Sequence, residues 1–211
     1  MSRVLLFSGG GDYADPWHPF ASTSAIVADV LRHDDHEVEI VDTLDGLDGT
    51  LAAAELLVVN AGGGPEPHPL DERLNGILEG YSGPLLALHV AATLLPGHDL
   101  WERTLGGRWV RGVSMHPPRG DLSLRAATPH EVVDDLAPFH TVDEGYAFLR
   151  VDDDARVLLE HEHDGRAHPV CWLLERDGRR TAYDALGHDV DAYRSQSARR
   201  LIQRLARWLH P

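Results

Sequence analysis

Short apolar runs alternate, along the first half of the chain, with segments whose apolar residues are spaced as in helices. Four runs predict strands, at residues 4–8, 37–41, 56–60 and 84–89. Helical spacing predicts one helix over residues 19–33 and another around residues 70–78. Because strands that alternate with helices are typical of βαβ units, this half predicts a parallel sheet covered by helices.

The second half of the chain follows a different pattern. Residues 106–151 are rich in Gly, Pro and short alternating runs, which predicts loops and edge strands. Three further strands are predicted at residues 156–161, 169–176 and 179–185. Asp177-Gly178, a favoured two-residue hairpin turn, separates the last two, so they should pair antiparallel. An amphipathic helix over residues 198–209 closes the chain, and the whole of 1–211 is predicted to be one α/β domain.

Composition narrows the class of partner. The 211 residues carry a formal net charge of -15, from 34 acidic and 19 basic residues. This charge repels phosphate backbones and anionic lipids, so neither nucleic acid nor a membrane is an expected partner. The first apolar run is too short for a signal peptide, which predicts a cytoplasmic protein. The final helix and the middle segment are candidate interfaces of a homo-oligomer, and ordinary solvent exposure explains them equally well.

Cysteine usage limits the kinds of metal site. The chain has one cysteine, Cys171, which excludes an internal disulfide and a site made of several thiolates. A metal ion would therefore have to be held by His, Asp and Glu. The 14 histidines make such a site feasible and do not by themselves predict one.

Seven short motifs are spread over nearly the whole chain. They are His18-Pro19-Phe20, Ala87-Leu88-His89-Val90-Ala91-Ala92, Trp101 with Leu105-Gly106-Gly107, His116-Pro117, Asp143-Glu144-Gly145-Tyr146, Pro169-Val170-Cys171-Trp172, and Leu186-Gly187-His188-Asp189 with Tyr193. In order and spacing they resemble the ThuA-like (trehalose utilisation) family, a branch of the class I glutamine amidotransferase-like superfamily. The resemblance implies a flavodoxin-like three-layer sandwich, with a mostly parallel sheet and an antiparallel edge. It also implies a role in the use of trehalose or an oxidised sugar.

His89 ends a predicted strand, where the resemblance places the nucleophilic cysteine of the superfamily on a sharp elbow. Without a thiolate or an activated hydroxyl there, the acyl-enzyme route to ammonia from glutamine has no nucleophile. Cys171 does not replace it, because its apolar neighbours Val170 and Trp172 indicate a buried, inert thiol. Glutaminase activity is therefore not expected.

The predicted catalytic residues are His89, His188 and Glu144. His89 and His188 follow separate strands, whose carboxyl ends should meet at one crevice, and the resemblance puts His188 near the superfamily's catalytic histidine. Glu144 is the candidate general acid or base. The imidazoles could relay a proton, bind sugar hydroxyls or, with Glu144 or His116, hold a divalent metal such as zinc. A capping role for His89 and a solvated carboxylate at Glu144 are the alternatives.

Nine further residues are predicted to bind the ligand: His18, Gly62, Gly63, Trp101, His116, Asp143, Tyr146, Trp172 and Asp189. The loop at Gly62 and Gly63 is where the superfamily presents backbone amides to an oxyanion, and a plain turn is the alternative. Trp101 and Trp172 could stack on a sugar ring or pack in the core. Asp189 could orient His188 or cap a helix.

Three functions remain open from the sequence. The first is an enzyme of carbohydrate utilisation, a hydrolase or isomerase whose ligand is a small sugar or sugar derivative. The second is a non-catalytic sugar-binding or regulatory domain on an amidotransferase-like scaffold, because fold does not dictate function. The third is a hydrolase that depends on a divalent metal.

Overall fold

The computed structural model describes residues 2–64 and 66–210. Its strands are β1 (Arg3–Ser8), β2 (Glu37–Val41), β3 (Leu56–Asn60), β4 (Leu85–Leu88), β5 (Gly107–Arg108), β6 (Gly120–Ala126), β7 (Phe139–Asp143), β8 (Arg150–Val151), β9 (Arg156–His163), β10 (Arg166–Arg176) and β11 (Arg179–Asp184). Its α-helices are α1 (Phe20–Arg32), α2 (Leu44–Thr50), α3 (Asp71–Glu79), α4 (Asp99–Leu105) and α5 (Gln196–Leu209). Short 3-10 turns occupy Leu51–Ala53, His89–Thr93 and Ala192–Arg194.

Among the described residues, nine strands form one sheet, in the order β2-β1-β3-β4-β11-β10-β9-β6-β7. The strands from β2 to β11 pair in parallel, and those from β11 to β7 pair antiparallel. β5 and β8 form a separate short ribbon. The predicted α/β fold, with a parallel sheet and an antiparallel edge, is confirmed.

The middle segment holds more regular structure than its sequence predicts. β6 and β7 extend the main sheet, and Leu122 and Leu124 of β6 are buried on one face. The helices α2 and α4 were not predicted either. Each has seven residues, too few to display a helical period, and α2 contains Gly46 and Gly49, which lower helix propensity.

The strands of the parallel half are apolar throughout because both faces of the sheet are covered. Every residue of β3 and β4 is buried. α1 packs against α5, and α2 packs against α3. The apolar face of α5, which contains Leu201 and Leu205, packs against the core. Within residues 2–64 and 66–210, no helix combines the length and hydropathy that crossing a bilayer requires.

A carboxyl group is buried at the end of β11. Asp184 is 1% exposed, and its Oδ1 accepts the backbone N–H of Leu186 at 3.1 Å. Burial raises the pKa of Asp184 to about 8, because the core solvates a carboxylate poorly. The folded chain therefore favours the neutral form of this group.

Leu201→Ala should lower the free energy of unfolding by about 2–5 kcal/mol, because it leaves a cavity beneath α5. Leu201 is 0% exposed, whereas its neighbour Arg200 is exposed. Arg200→Ala should therefore change the same quantity by no more than about 0.5 kcal/mol. Urea unfolding of both variants measures the difference, and equal losses would contradict the packing of α5.

Asp184→Asn should remove one source of pH dependence from the stability. The pKa of this carboxyl is higher in the folded than in the unfolded chain. Its stabilising contribution is thus complete below about pH 4 and is lost as the pH rises toward the folded pKa. Asparagine cannot ionise, so the stability of the variant relative to wild type should increase from about pH 4 to about pH 8. Denaturant unfolding across this range would show a constant difference if the prediction is wrong.

Candidate active site at the carboxyl edge of the sheet

His89 occupies a strained elbow directly after β4. Its φ of 42° lies in the left-handed region, which costs a non-glycine residue about 1–3 kcal/mol. The ring is 1% exposed, and its Nδ1 lies 2.7 Å from the carbonyl oxygen of Ala185. Because a carbonyl only accepts, Nδ1 carries the proton, and the lone pair of the neutral ring is on Nε2. The hydroxyl of Tyr146 donates to this Nε2 at 3.0 Å.

Asp143, at the end of β7, binds the loop that follows β11. Its buried carboxylate accepts backbone N–H groups from Gly187 at 2.7 Å, His188 at 3.2 Å and Glu144 at 2.8 Å. Gly187 has a φ of 116°, and a Cβ there would collide with the hydroxyl of Tyr193. Burial raises the pKa of Asp143, and the three N–H donors oppose that effect. These bonds place Glu144 beside His188.

Glu144 stands between three imidazoles. Its Oε2 lies 3.3 Å from Nδ1 of His188 and 3.6 Å from Nε2 of His89, and its Oε1 lies 3.5 Å from Nδ1 of His116. Burial opposes ionisation of Glu144, but the His188 imidazole outweighs it and holds the pKa of the carboxyl well below its usual range. The Glu144 carboxylate in turn raises the pKa of His188.

His18, in the loop before α1, completes the group. Its Nδ1 lies 2.7 Å from Oδ2 of Asp15, and its ring centroid lies 5.3 Å from that of His89 and 5.0 Å from that of His188. Burial lowers the pKa of His18, although Asp15 opposes the effect. The site thus brings together side chains from five separate segments of the chain.

A crevice of about 780 Å³ opens above these side chains, a volume usual for small-molecule sites. Trp17, Trp109 and Arg111 line it together with the polar cluster. Trp17 is 60% exposed, and the Trp109 ring lies 4.8 Å from that of Tyr146. The sequence interpretation gave none of these three a ligand-binding role. Their position in loops could have indicated such a role: Trp17 precedes His18, and Trp109 and Arg111 lie between α4 and His116.

Several predicted residues do meet at the crevice, and their roles stay predictions. His18, Gly63, His116, Glu144, Tyr146 and His188 line it, and His89 lies at its floor. A Cβ at Gly62 would collide with Val90, so glycine at this position allows the two segments to pack closely. The N–H of Gly63 donates to Oγ1 of Thr93 at 3.0 Å. The expectation that this amide is free to bind an oxyanion is therefore wrong, because Thr93 already accepts its N–H.

The predicted roles of two tryptophans and one aspartate need correction. Trp101 is 2% exposed and donates its Nε1–H to the carbonyl of Ala91, and Trp172 is 0% exposed and donates to that of Leu105, both at 2.8 Å. Neither ring offers a face to a sugar, so both belong to the core. Asp189 forms an ion pair with Arg119 at 2.7 Å and has no hydrogen bond to the His188 ring among the described residues.

Cys171 lies in β10 and is 0% exposed, and burial raises the pKa of its thiol well above the ordinary value. It does not line the crevice. The residue at the elbow is an imidazole. The Cys171 thiol is therefore an inert group of the core.

Comparison with known proteins agrees with the fold. The family model for ThuA, described as "Trehalose utilisation", matches residues 3–209. A protein described as ThuA-like from Parabacteroides merdae superposes with a TM-score of 0.77 at 18% identity, over 98% of this chain and 89% of that one. One from Bacteroides uniformis gives 0.75 at 15% identity, over 99% and 91%. No protein with a curated description matches the chain.

The likeness extends to a further solved structure. A protein described as part of a GMP synthase, from Thermoplasma acidophilum, superposes with a TM-score of 0.58 at 16% identity, over 99% of this chain and 96% of that one. At these identities the likeness concerns the fold alone.

Asp143→Asn should destabilise the fold by about 1–3 kcal/mol, because an amide N–H₂ would face backbone donors that the carboxylate now accepts. Asp189→Asn is the matched control, since Asp189 pairs with Arg119 at the partly exposed rim. The control should change stability by no more than about 1 kcal/mol. Thermal and urea unfolding compare the two, and an equal effect would contradict the role given to Asp143.

Proposed function

The chain belongs to the ThuA family, described as trehalose utilisation, and from this membership we propose that it is an enzyme acting on a sugar or an oxidised sugar. The reaction takes place at the crevice above His89. The observation that carries the proposal is the convergence of His18, His89, Glu144 and His188, whose potential ligand atoms all lie within 4.8 Å of one another. Outside an active or metal-binding site, so dense a polar cluster at the floor of an open crevice has no evident purpose.

The cluster is suited to proton transfer. Imidazoles and carboxylates are the side chains most often used as general acids and bases, and here Glu144 lies within 3.6 Å of nitrogen atoms of both His89 and His188. In a sugar with a carbonyl group, taking a proton from the adjacent carbon and returning it to a neighbouring atom is an isomerisation. Giving a proton to a glycosidic oxygen assists hydrolysis. An isomerase or a hydrolase therefore fits the residues.

The crevice walls are suited to a sugar. Trp17 and Trp109 provide aromatic faces for the apolar side of a pyranose ring, in place of the buried Trp101 and Trp172. Arg111 and Asp15 are polar groups on the same walls, available to hydroxyl groups. This combination favours a small polyhydroxylated ligand.

The proposal excludes the acyl-enzyme chemistry of glutamine amidotransferases. Such chemistry needs a thiolate or hydroxyl nucleophile at the elbow, and His89 holds that position. Cys171 is enclosed in the sheet. The second candidate, a sugar-binding or regulatory domain, is favoured by this same replacement at the elbow, and turnover separates the two.

Glu144→Gln should reduce turnover by about 10²-fold or more, because it removes a proton-transferring group and keeps its size. Trehalose and its oxidised derivatives are incubated with the protein in D₂O, and NMR follows both conversion and exchange of carbon-bound protons. His140→Ala, on β7 and exposed, is the matched control and should retain wild-type turnover. Full activity of Glu144→Gln would contradict the proposal. Binding of the sugar by wild type without conversion would favour the binding domain.

A further inference from the structure

Four side chains at the floor of the crevice surround one point. They are those of His18, His89, Glu144 and His188, and they come from the loop before α1, the elbow after β4, the end of β7 and the loop after β11. Three imidazoles and a carboxylate are ligands that first-row divalent transition metals accept in proteins. Mg²⁺ and Ca²⁺ prefer sites made of oxygen atoms, which this one is not.

The distances around Glu144 fit shared coordination better than hydrogen bonding. Its Oε2 lies 3.3 Å from Nδ1 of His188 and 3.6 Å from Nε2 of His89. The first contact lacks hydrogen-bond geometry, so Nδ1 of His188 is a buried atom that has no hydrogen-bond partner among residues 2–64 and 66–210. Two atoms that each lie about 2.1 Å from a tetrahedral ion are about 3.4 Å apart. The observed separations are close to that value.

Two of the imidazoles also have the outer support that metal-binding histidines usually have. His18 places its Nδ1 2.7 Å from the Asp15 carboxylate, and His89 places its Nδ1 2.7 Å from the carbonyl oxygen of Ala185. Each contact fixes the ring orientation and leaves Nε2 as the ligand atom. For His89, this Nε2 is the atom nearest to Glu144.

We infer that His18, His89, Glu144 and His188 bind one divalent transition-metal ion, such as Zn²⁺. The sequence hypothesis named His89, His188, Glu144 and His116 as possible ligands, and in this site His18 takes the place of His116. The inference deepens the proposed function, on which the ion's catalytic role rests. When bound, the ion would polarise a carbonyl or hydroxyl oxygen of the sugar.

Tyr146 gives the inference a specific consequence. Its hydroxyl donates to Nε2 of His89, the same lone pair that the ion requires. Ion binding would therefore break this hydrogen bond and free the hydroxyl of Tyr146, a residue that lines the crevice. Because Tyr146→Phe removes a competitor for the lone pair, it should bind the ion at least as tightly as wild type does.

The test measures ion binding in the absence of sugar. The metal content of the purified protein is determined by mass spectrometry, and stripped protein is titrated with Zn²⁺ against a chromophoric chelator. One ion per chain is expected. His18→Ala and Glu144→Gln should each weaken Zn²⁺ affinity by at least about tenfold, and Asp15→Asn by about 10-fold to 100-fold. Circular dichroism confirms that each variant is folded.

His116→Ala is the matched control. It removes an imidazole from the same crevice, one whose Nδ1 lies 3.5 Å from Oε1 of Glu144 but which is not among the four residues. Its Zn²⁺ affinity should fall clearly less than that of His18→Ala, because His116 contacts Glu144 without being a ligand. An equal loss in His116→Ala and His18→Ala, weaker binding by Tyr146→Phe, or the absence of a one-to-one site in wild type would overturn the inference.

The outcomes separate the ion from the function. A specific site for Zn²⁺ in a protein that converts no sugar supports the metal inference and counts against the proposed function. Sugar turnover that persists in the stripped protein supports the function and overturns a catalytic ion. Turnover that is lost on stripping and restored by Zn²⁺ supports both.

Discussion

The geometry of the candidate site depends on the carboxylate of Asp143, which accepts backbone N–H groups from Glu144, Gly187 and His188. This residue ends an antiparallel strand at the far edge of the sheet, while His188 follows a strand in its centre. A buried carboxylate is costly unless donors surround it, so the folded state requires these bonds. They fix the distance between the Glu144 and His188 side chains, from which proton transfer or metal binding would follow.

The remaining groups of the site are held by backbone. His89 is directed by the Ala185 carbonyl, and its left-handed conformation is strained, a cost that the surrounding packing must offset. In the superfamily that the sequence resembles, the residue at this elbow is expected to be a nucleophilic cysteine. In this chain the elbow instead carries His89, whose Nε2 has a lone pair that can accept a proton or bind an ion. A fold can keep its most constrained position and change its chemistry by exchanging one side chain.

Much of the fold and part of the site could be predicted from local pattern. His89 and His188 were placed at one crevice because the carboxyl ends of parallel strands meet there, and their rings lie 5.5 Å apart. The roles of Trp101 and Trp172 could not be predicted, because only the packed structure shows that their indole N–H groups meet core carbonyls. For the same reason, the positions of Trp17 and Trp109 on the crevice wall could not be predicted, because they depend on the conformations of the loops that carry these residues.

The alternation of strands and helices, the parallel half of the sheet and the elbow histidine follow from the amino-acid sequence alone, because hydrophobic periodicity and short motifs are local properties. The packed domain was needed to establish that β6 and β7 join the main sheet, that His18 rather than His116 stands with His89 and His188, and that Asp189 pairs with Arg119. These are contacts between residues far apart in the chain. Their geometry follows from the packing of the whole domain, which no local pattern records.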